Sequence, residues 1–76
     1  MKLSDFVKKY RKMNLLRQID LADKLEMSKV QVGRIESGKT ISIRTMRKLS
    51  QVMEVDPELI YAMYREGMSE EEYSEI

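Results

Sequence analysis

The chain has 76 residues and contains neither cysteine nor histidine, so it offers no disulfide framework and none of the usual zinc ligands. One domain is expected at this size, and its folding should bury about 60% of the surface that the unfolded chain exposes. No apolar stretch approaches the roughly 20 residues of a membrane span, and the first residues lack the apolar core of a secretory signal. We therefore expect a cytoplasmic protein with no membrane, metal, cofactor or small-molecule partner.

The charge is distributed unevenly along the chain, although the formal total is only +1. Residues 1–48 carry 13 Lys and Arg against 5 Asp and Glu, a net +8, whereas residues 49–76 carry 1 against 8, a net −7. Because Lys and Arg neutralise phosphates, a basic body with an acidic end is typical of a protein that binds nucleic acid. Charges that only solvate helix surfaces would give the same composition, so this pattern leaves both explanations open.

An all-α fold of five helices is predicted, because only three Gly and one Pro interrupt a chain rich in helix-forming residues. The first helix is expected to begin at an N-cap, Ser4, and to run to about residue 13, where Asn14 ends it in a left-handed conformation. Its apolar face is predicted to consist of Phe6, Val7, Tyr10 and Met13.

The second and third helices are predicted at about residues 18–25 and 29–37, separated only by Glu26, Met27 and Ser28. Ser28 is expected to cap the third helix, and Gly38 to end it in a left-handed conformation. The apolar positions of the second helix are Ile19, Leu21, Ala22 and Leu25.

The fourth helix is predicted to start at the cap Ser42, and the fifth at Asp56, followed by Pro57 at its first helical position. Gly67 is expected to end the fifth helix. The apolar stripe of the fourth helix consists of Ile43, Met46, Leu49, Val52 and Met53. We expect residues 1–66 to form the domain and residues 67–76 to form an acidic tail.

Two short helices joined by a three-residue turn form the geometry of a DNA-binding helix-turn-helix, in which small and apolar residues meet where the helices cross. Ala22 supplies the small residue here, and Val32 and Ile35 are its expected partners. An ordered series surrounds them: Tyr10-Arg11, Leu16-x-Gln18-x-x-Leu21-Ala22-x-x-Leu25, Met27-Ser28-x-x-x-Val32-x-x-Ile35-Glu36-x-Gly38-Lys39 and Ser42-Ile43-x-Thr45-Met46-x-Lys48-Leu49. Over about residues 6–64 this series resembles the lambda-repressor-like (Cro-type or Xre-type) helix-turn-helix family.

The resemblance implies that the third helix enters the major groove of double-stranded DNA. Its outward positions, which we expect to contact bases, are Lys29, Val30, Gln31, Gly33 and Arg34. Arg34 can pair with guanine through two hydrogen bonds, Gln31 can read adenine or bind phosphate, and Val30 can touch a thymine methyl group. Glycine within a helix costs about 1 kcal/mol of stability relative to alanine. Either Gly33 lets the helix backbone approach DNA closely, or it is a neutral change tolerated at an exposed site.

Phosphate contacts are expected on both sides of that helix. The resemblance places Gln18 at a helix start that faces the DNA backbone, where the helix dipole also favours an anion. The complete expected set is Gln18, Ser28, Lys39, Thr40 and Arg44. The resemblance also implies a structural ion pair between Arg11 and Glu36, which need not touch DNA.

The sequence departs from the family pattern at several positions outside this set. Arg17 stands where the family usually has a capping Thr, and Ile41 where Pro is common. Leu15 and Glu26 stand where Gly is often found, so Glu26 is expected to hold a strained left-handed turn.

A domain this small contacts few base pairs, and members of the family commonly bind inverted repeats as two-fold dimers. We expect the fifth helix to provide the homodimer interface through Leu59, Ile60, Met63 and Tyr64, although some of these must also close the core. The sequence therefore predicts a sequence-specific transcriptional regulator, a repressor of an inverted-repeat operator. An antitoxin or adaptor with the same fold, and a controller protein of a restriction-modification system, are the alternatives. An enzyme is not expected, because no pair of catalytic side chains stands out.

Overall fold

The structure is a computed structural model that describes residues 1–67. Five helices make up this part of the chain: α1 (Leu3–Met13), α2 (Gln18–Leu25), α3 (Lys29–Glu36), α4 (Ile43–Met53) and α5 (Pro57–Glu66). Because these residues contain no strand, the all-α prediction is confirmed for the described chain. The predicted acidic tail lies, from residue 68 onward, outside the described residues.

A single core joins all five helices. Helix α3 packs against α2 and α1, while α5 packs against α4 and α1, so α1 links the two pairs. Burying apolar surface is the main stabilising contribution for a chain of this kind. The buried apolar residues, each at most 6% exposed, are Leu3, Val7, Leu21, Ala22, Leu25, Val32, Ile35, Met46, Leu49, Met53, Ile60 and Met63.

The predicted starts of the last three helices and the predicted end of α3 are confirmed. Ser28 and Ser42 each accept a hydrogen bond from a backbone N–H in the first turn of the helix that follows, and Asp56 does the same ahead of Pro57. Gly38 has φ of 79°, so α3 ends at a left-handed glycine as expected. Local capping chemistry was therefore a sufficient guide at these ends.

The predicted last residue of α1, Met13, is confirmed, but its predicted N-cap and the left-handed conformation of Asn14 are wrong. The helix begins at Leu3 with Lys2 at the N-cap, two residues before the expected cap, Ser4. Leu3 is only 3% exposed, and holding it in the core as part of the helix outweighs the missing side-chain cap. Asn14 has φ of −96° and donates its side-chain N–H to the Tyr10 carbonyl, while Leu15 is the left-handed residue, with φ of 55°.

One further expectation about an apolar face requires correction, and the expected interface residues divide between core and surface. Met13 was expected on the buried face of α1, yet it is 73% exposed at the last residue of the helix. Ile60 and Met63 were expected at a dimer interface, but they are 0% and 5% exposed. Both close the core, as was expected of some of these residues, whereas Leu59 is 46% exposed.

Candidate nucleic-acid interface

The first turn of α3 is fixed by a reciprocal pair of hydrogen bonds. The Gln31 N–H donates to Ser28 Oγ, and the Ser28 N–H donates to Gln31 Oε1, each at 3.2 Å. Such a capping box satisfies two backbone donors that the start of a helix leaves without partners. Because Gln31 Oε1 is engaged, the side-chain NH₂ group of Gln31 is the part left for another partner.

The outward surface of α3 is formed by the residues expected to contact bases. Val32 and Ile35 are buried at 0% and 4% exposure, which fixes the rotation of the helix about its axis. Lys29, Val30, Gln31 and Arg34 are consequently exposed. The structure thus brings two cations, one amide and one apolar side chain together on the exposed side of a short helix.

Gly33 lies on the same helix and is half-buried. A Cβ atom placed on Gly33 would meet nothing within 4 Å apart from its chain neighbours and the backbone of its own helix. Packing within the described part of the protein therefore gives no reason for glycine at this position.

Gln18 is the first residue of α2, and its side chain is hydrogen-bonded to Glu36, the acidic partner of Arg11. Its Nε2 donates to Glu36 Oε1 at 3.3 Å, so the amide bridges α2 and α3. The N–H groups in the first turn of α2 lack intrahelical acceptors, as at any helix start, and remain available to an anion. Gln18 therefore has both a fixed side chain and a favourable helix terminus.

An exposed ion pair lies beside Gln18. The Asp20 carboxylate accepts hydrogen bonds from the Arg17 backbone N–H at 2.8 Å and from Arg17 Nε at 3.0 Å. These side-chain and backbone hydrogen bonds from Arg17 lower the pKa of Asp20. Arg17 thus replaces the missing capping hydroxyl by holding Asp20 against the start of α2, an arrangement that the sequence analysis did not identify. A positively charged N-cap followed at the third helical position by Asp was the available signal.

The loop after α3 carries the expected phosphate contacts on the other side. Lys39 and Thr40 are exposed, and the Lys39 N–H donates to the Arg34 carbonyl at 3.0 Å. Arg44 is exposed in the first turn of α4. The residues expected to contact phosphates therefore lie at the starts of α2 and α4, at the N-cap of α3 (Ser28) and in the loop after α3, and those expected to contact bases lie on α3.

Arg11 and Glu36 form the ion pair that the resemblance implied. Arg11 Nε lies 2.6 Å from Glu36 Oε2, and Nη2 lies 3.0 Å from Oε1, so two hydrogen bonds join α1 to α3. Burial opposes ionisation of Glu36, but hydrogen bonds from Arg11 and Gln18, together with the positive charges of Arg11 and Lys8, hold its pKa below the usual value. Arg11 Nη1 also donates to the Leu16 carbonyl at 3.0 Å. The pair supports the start of α2 as well as α3.

The expected role of Tyr64 at a dimer interface is only partly compatible with its position. It is half-buried, and its hydroxyl accepts a hydrogen bond from the Ile41 N–H at 3.2 Å. Its polar end thus faces the loop between α3 and α4. The sequence analysis missed this contact, because no local pattern relates residues that are 23 positions apart.

Two short helices joined by three residues, with cationic and amide side chains exposed on the second, define a DNA-binding helix-turn-helix domain. A helix-turn-helix family model matches residues 7–60, and the chain belongs to this lambda-repressor-like family of DNA-binding regulators. Searches of curated proteins and of solved structures found no significant match.

Two general features complete the description of residues 1–67. None of their helices combines the length and the apolar character needed to cross a bilayer. Within the same residues, no cluster of three or more acidic side chains is placed to hold a metal ion.

Proposed function

We propose that this protein is a sequence-specific transcriptional repressor that binds an inverted-repeat operator as a homodimer, with α3 in the major groove. The observation that carries the proposal is the exposed surface of α3, which presents Lys29, Gln31 and Arg34. Gln18 begins the preceding helix, and Lys39 is exposed in the loop that follows. Arginine and glutamine can discriminate base edges, whereas cations and a helix N-terminus beside them can hold phosphates. A dimer bound across two half-sites would occlude a promoter, which is why repression is the regulatory outcome we propose.

The interface with a second copy is proposed on the exposed side of α5, with Leu59 at its centre. Leu59 is an apolar side chain that remains 46% exposed in the single chain. Two-fold dimers use the same surface on both copies, so one central apolar residue contributes twice. Ile60 and Met63 would support this surface from the core.

Selection of bound sites from random duplex DNA, followed by titration at two salt concentrations, tests the DNA-binding proposal. We expect a two-fold site whose affinity falls steeply with salt, because bound phosphates release their counterions. Arg34→Ala should relax base preference, whereas Lys39→Ala should weaken binding to all sequences and lower the salt slope by about one phosphate contact. Lys9→Ala is a matched control. Lys9 is exposed on α1, and because it follows the buried Val7 by two residues it lies on the opposite side of that helix from the core.

Sedimentation of two variants tests the dimer. Leu59→Glu should give a monomer that binds single half-sites but loses its preference for paired ones. Met13→Glu introduces the same charge at another exposed apolar position, 73% exposed on α1, and should leave the dimer intact. No binding to any duplex at low salt would instead favour the antitoxin or adaptor function.

A further inference from the structure

The hydrogen bond between Ile41 and Tyr64 joins the last described helix to the loop that follows α3. The Ile41 N–H donates to the Tyr64 hydroxyl at 3.2 Å, in a partly buried position. Tyr64 also lines the same surface concavity as Lys39 and Thr40. A side chain of α5 is therefore placed next to the proposed phosphate contacts, with its hydroxyl oxygen bonded to the loop that carries them.

The loop is anchored on both sides of those two residues. At its start, Gly38 turns the chain with φ of 79°, and the Lys39 N–H donates to the Arg34 carbonyl at 3.0 Å. At its other end, Ile41 packs partly buried against the core while its N–H is held by Tyr64. Lys39 and Thr40 are exposed between these anchors.

We infer that Tyr64 is a positioning residue, whose hydroxyl holds the loop in the conformation in which Lys39 and Thr40 bind DNA phosphates. This inference rests on the proposed function. Ordering a loop at the moment of binding reduces affinity, because the lost conformational freedom must be offset by the new contacts. A hydrogen bond that already orders the loop in the free protein removes part of that loss. Helix α5 would thereby act on DNA affinity through the loop, separately from any contact with a second copy.

Removal of one hydroxyl tests the inference. We expect Tyr64→Phe to weaken binding to the selected operator by about 2- to 10-fold, the range of one hydrogen bond. The slope of log affinity against log salt should fall in magnitude by up to about 0.9, the contribution of one phosphate contact. Urea unfolding of the same variant shows whether it is fully folded under the binding conditions.

Tyr10→Phe is the matched control. The Tyr10 hydroxyl is also partly buried and also bonds to the backbone, but it lies on α1 and donates to the Val52 carbonyl of α4 at 3.4 Å, not to the loop. This variant should keep both the affinity and the salt slope of the unmodified protein. A similar loss in both variants would overturn the inference, because it would reflect general destabilisation.

A double-mutant cycle tests whether Tyr64 acts through the loop. In a Lys39→Ala, Thr40→Ala background, Tyr64→Phe should cause little further loss of affinity, since the side chains that it positions are gone. An undiminished loss in that background would overturn the inference, as would wild-type affinity and salt slope for Tyr64→Phe alone. Absence of DNA binding by the unmodified protein would overturn the proposed function and this inference together. Normal binding by the unmodified protein and by Tyr64→Phe would overturn only the inference.

Discussion

Arg11 and Glu36 join α1 to α3 through two hydrogen bonds of 2.6 and 3.0 Å, although their side chains are only 15% and 4% exposed. A buried pair of this kind adds little net stability over an apolar pair of the same size, because both charges must leave water. The pair does fix the position of α1 relative to α3, because burying either charge without its partner would be strongly destabilising. Through Glu36 the pair also holds Gln18, so the start of α2 and the end of α3 are fixed together.

Removing one partner of this pair should destabilise the protein more than removing both. Arg11→Met leaves the Glu36 carboxylate buried with only Gln18 as a side-chain donor, and we expect a loss of about 3 kcal/mol in the free energy of unfolding. The double variant Arg11→Met, Glu36→Gln should be more stable than Arg11→Met alone, because no buried charge remains. Urea unfolding of the two single variants and the double variant measures this coupling, and strictly additive losses would contradict it.

The lowered pKa of Glu36 makes stability dependent on pH in the acidic range. Since the folded-state pKa lies below the ordinary value of 4.5, the folded protein binds fewer protons than the unfolded chain within that window. The contribution of Glu36 is therefore fully present above about pH 4.5 and is lost as the pH falls through the folded-state pKa. Unfolding curves between pH 7 and pH 3 should show a smaller acid loss for Arg11→Met, Glu36→Gln than for the unmodified protein.

Asp20→Asn provides the comparison for this pH effect, because Asp20 also has a lowered pKa but is bonded to the exposed Arg17. Exposed ion pairs contribute little to stability. The acid dependence of Asp20→Asn should thus remain close to that of the unmodified protein. A flat profile for this variant would assign the effect to the start of α2 and not to the buried pair.

The fold and most of the exposed surface of α3 followed from local rules. Each of the last three helices has a capping residue, Ser28, Ser42 or Asp56, just before a segment with apolar residues at helical spacing. Helix capping depends on only a few neighbouring residues. At α1 the same rule failed, because Ser4 competes with the burial of Leu3, and burial depends on helices that are distant in sequence. The division of α5 between core and surface was undetermined for a similar reason.

Contacts between distant residues lay beyond prediction by periodicity alone. Helical spacing indicates which face of α5 is apolar, but it does not say that the Tyr64 hydroxyl meets the Ile41 N–H. The Arg11–Glu36 pair is also distant in sequence, and it was predicted only because the family resemblance supplied it. Residue patterns thus predicted the helices, whereas the family resemblance predicted the ion pair that supports the proposed interface.

Glu26→Gly is expected to stabilise the protein. Glu26 ends α2 with φ of 56°, a left-handed conformation that strains residues with a Cβ atom. The gain should be about 1 kcal/mol, since the relieved strain exceeds the extra freedom that glycine gives the unfolded chain. Thermal unfolding measures it. The same substitution at Glu58, in the first turn of α5, should instead reduce stability, because glycine is unfavourable in a helix.

Gly33→Ala should separate folding from DNA binding. Since the new methyl group meets nothing beyond its own helix within 4 Å, the variant should gain up to about 1 kcal/mol of stability from improved helix propensity. If α3 approaches DNA closely at this point, operator affinity falls even though the protein is more stable. Unchanged affinity would show that glycine here has no role in binding. Gly38→Ala serves as a contrast, because its φ of 79° makes alanine destabilising.

The orientation of Gln31 predicts which base edges it prefers. Because its Oε1 accepts from the Ser28 N–H, the side-chain NH₂ is left as a donor for the acceptors of the major groove, such as guanine O6 and N7 or thymine O4. Gln31→Glu keeps the capping box, since a carboxylate oxygen can also accept from Ser28, but it replaces the outward donor with an acceptor. The preferred base at one position of each half-site should then change toward cytosine, whose N4 donates. Parallel selections from random duplexes with the two proteins measure the change, and we expect about a 10-fold reversal of preference. Identical base preferences would mean that Gln31 only caps α3, and Gln31→Ala, which removes both functions, would then reduce stability without altering the selected site.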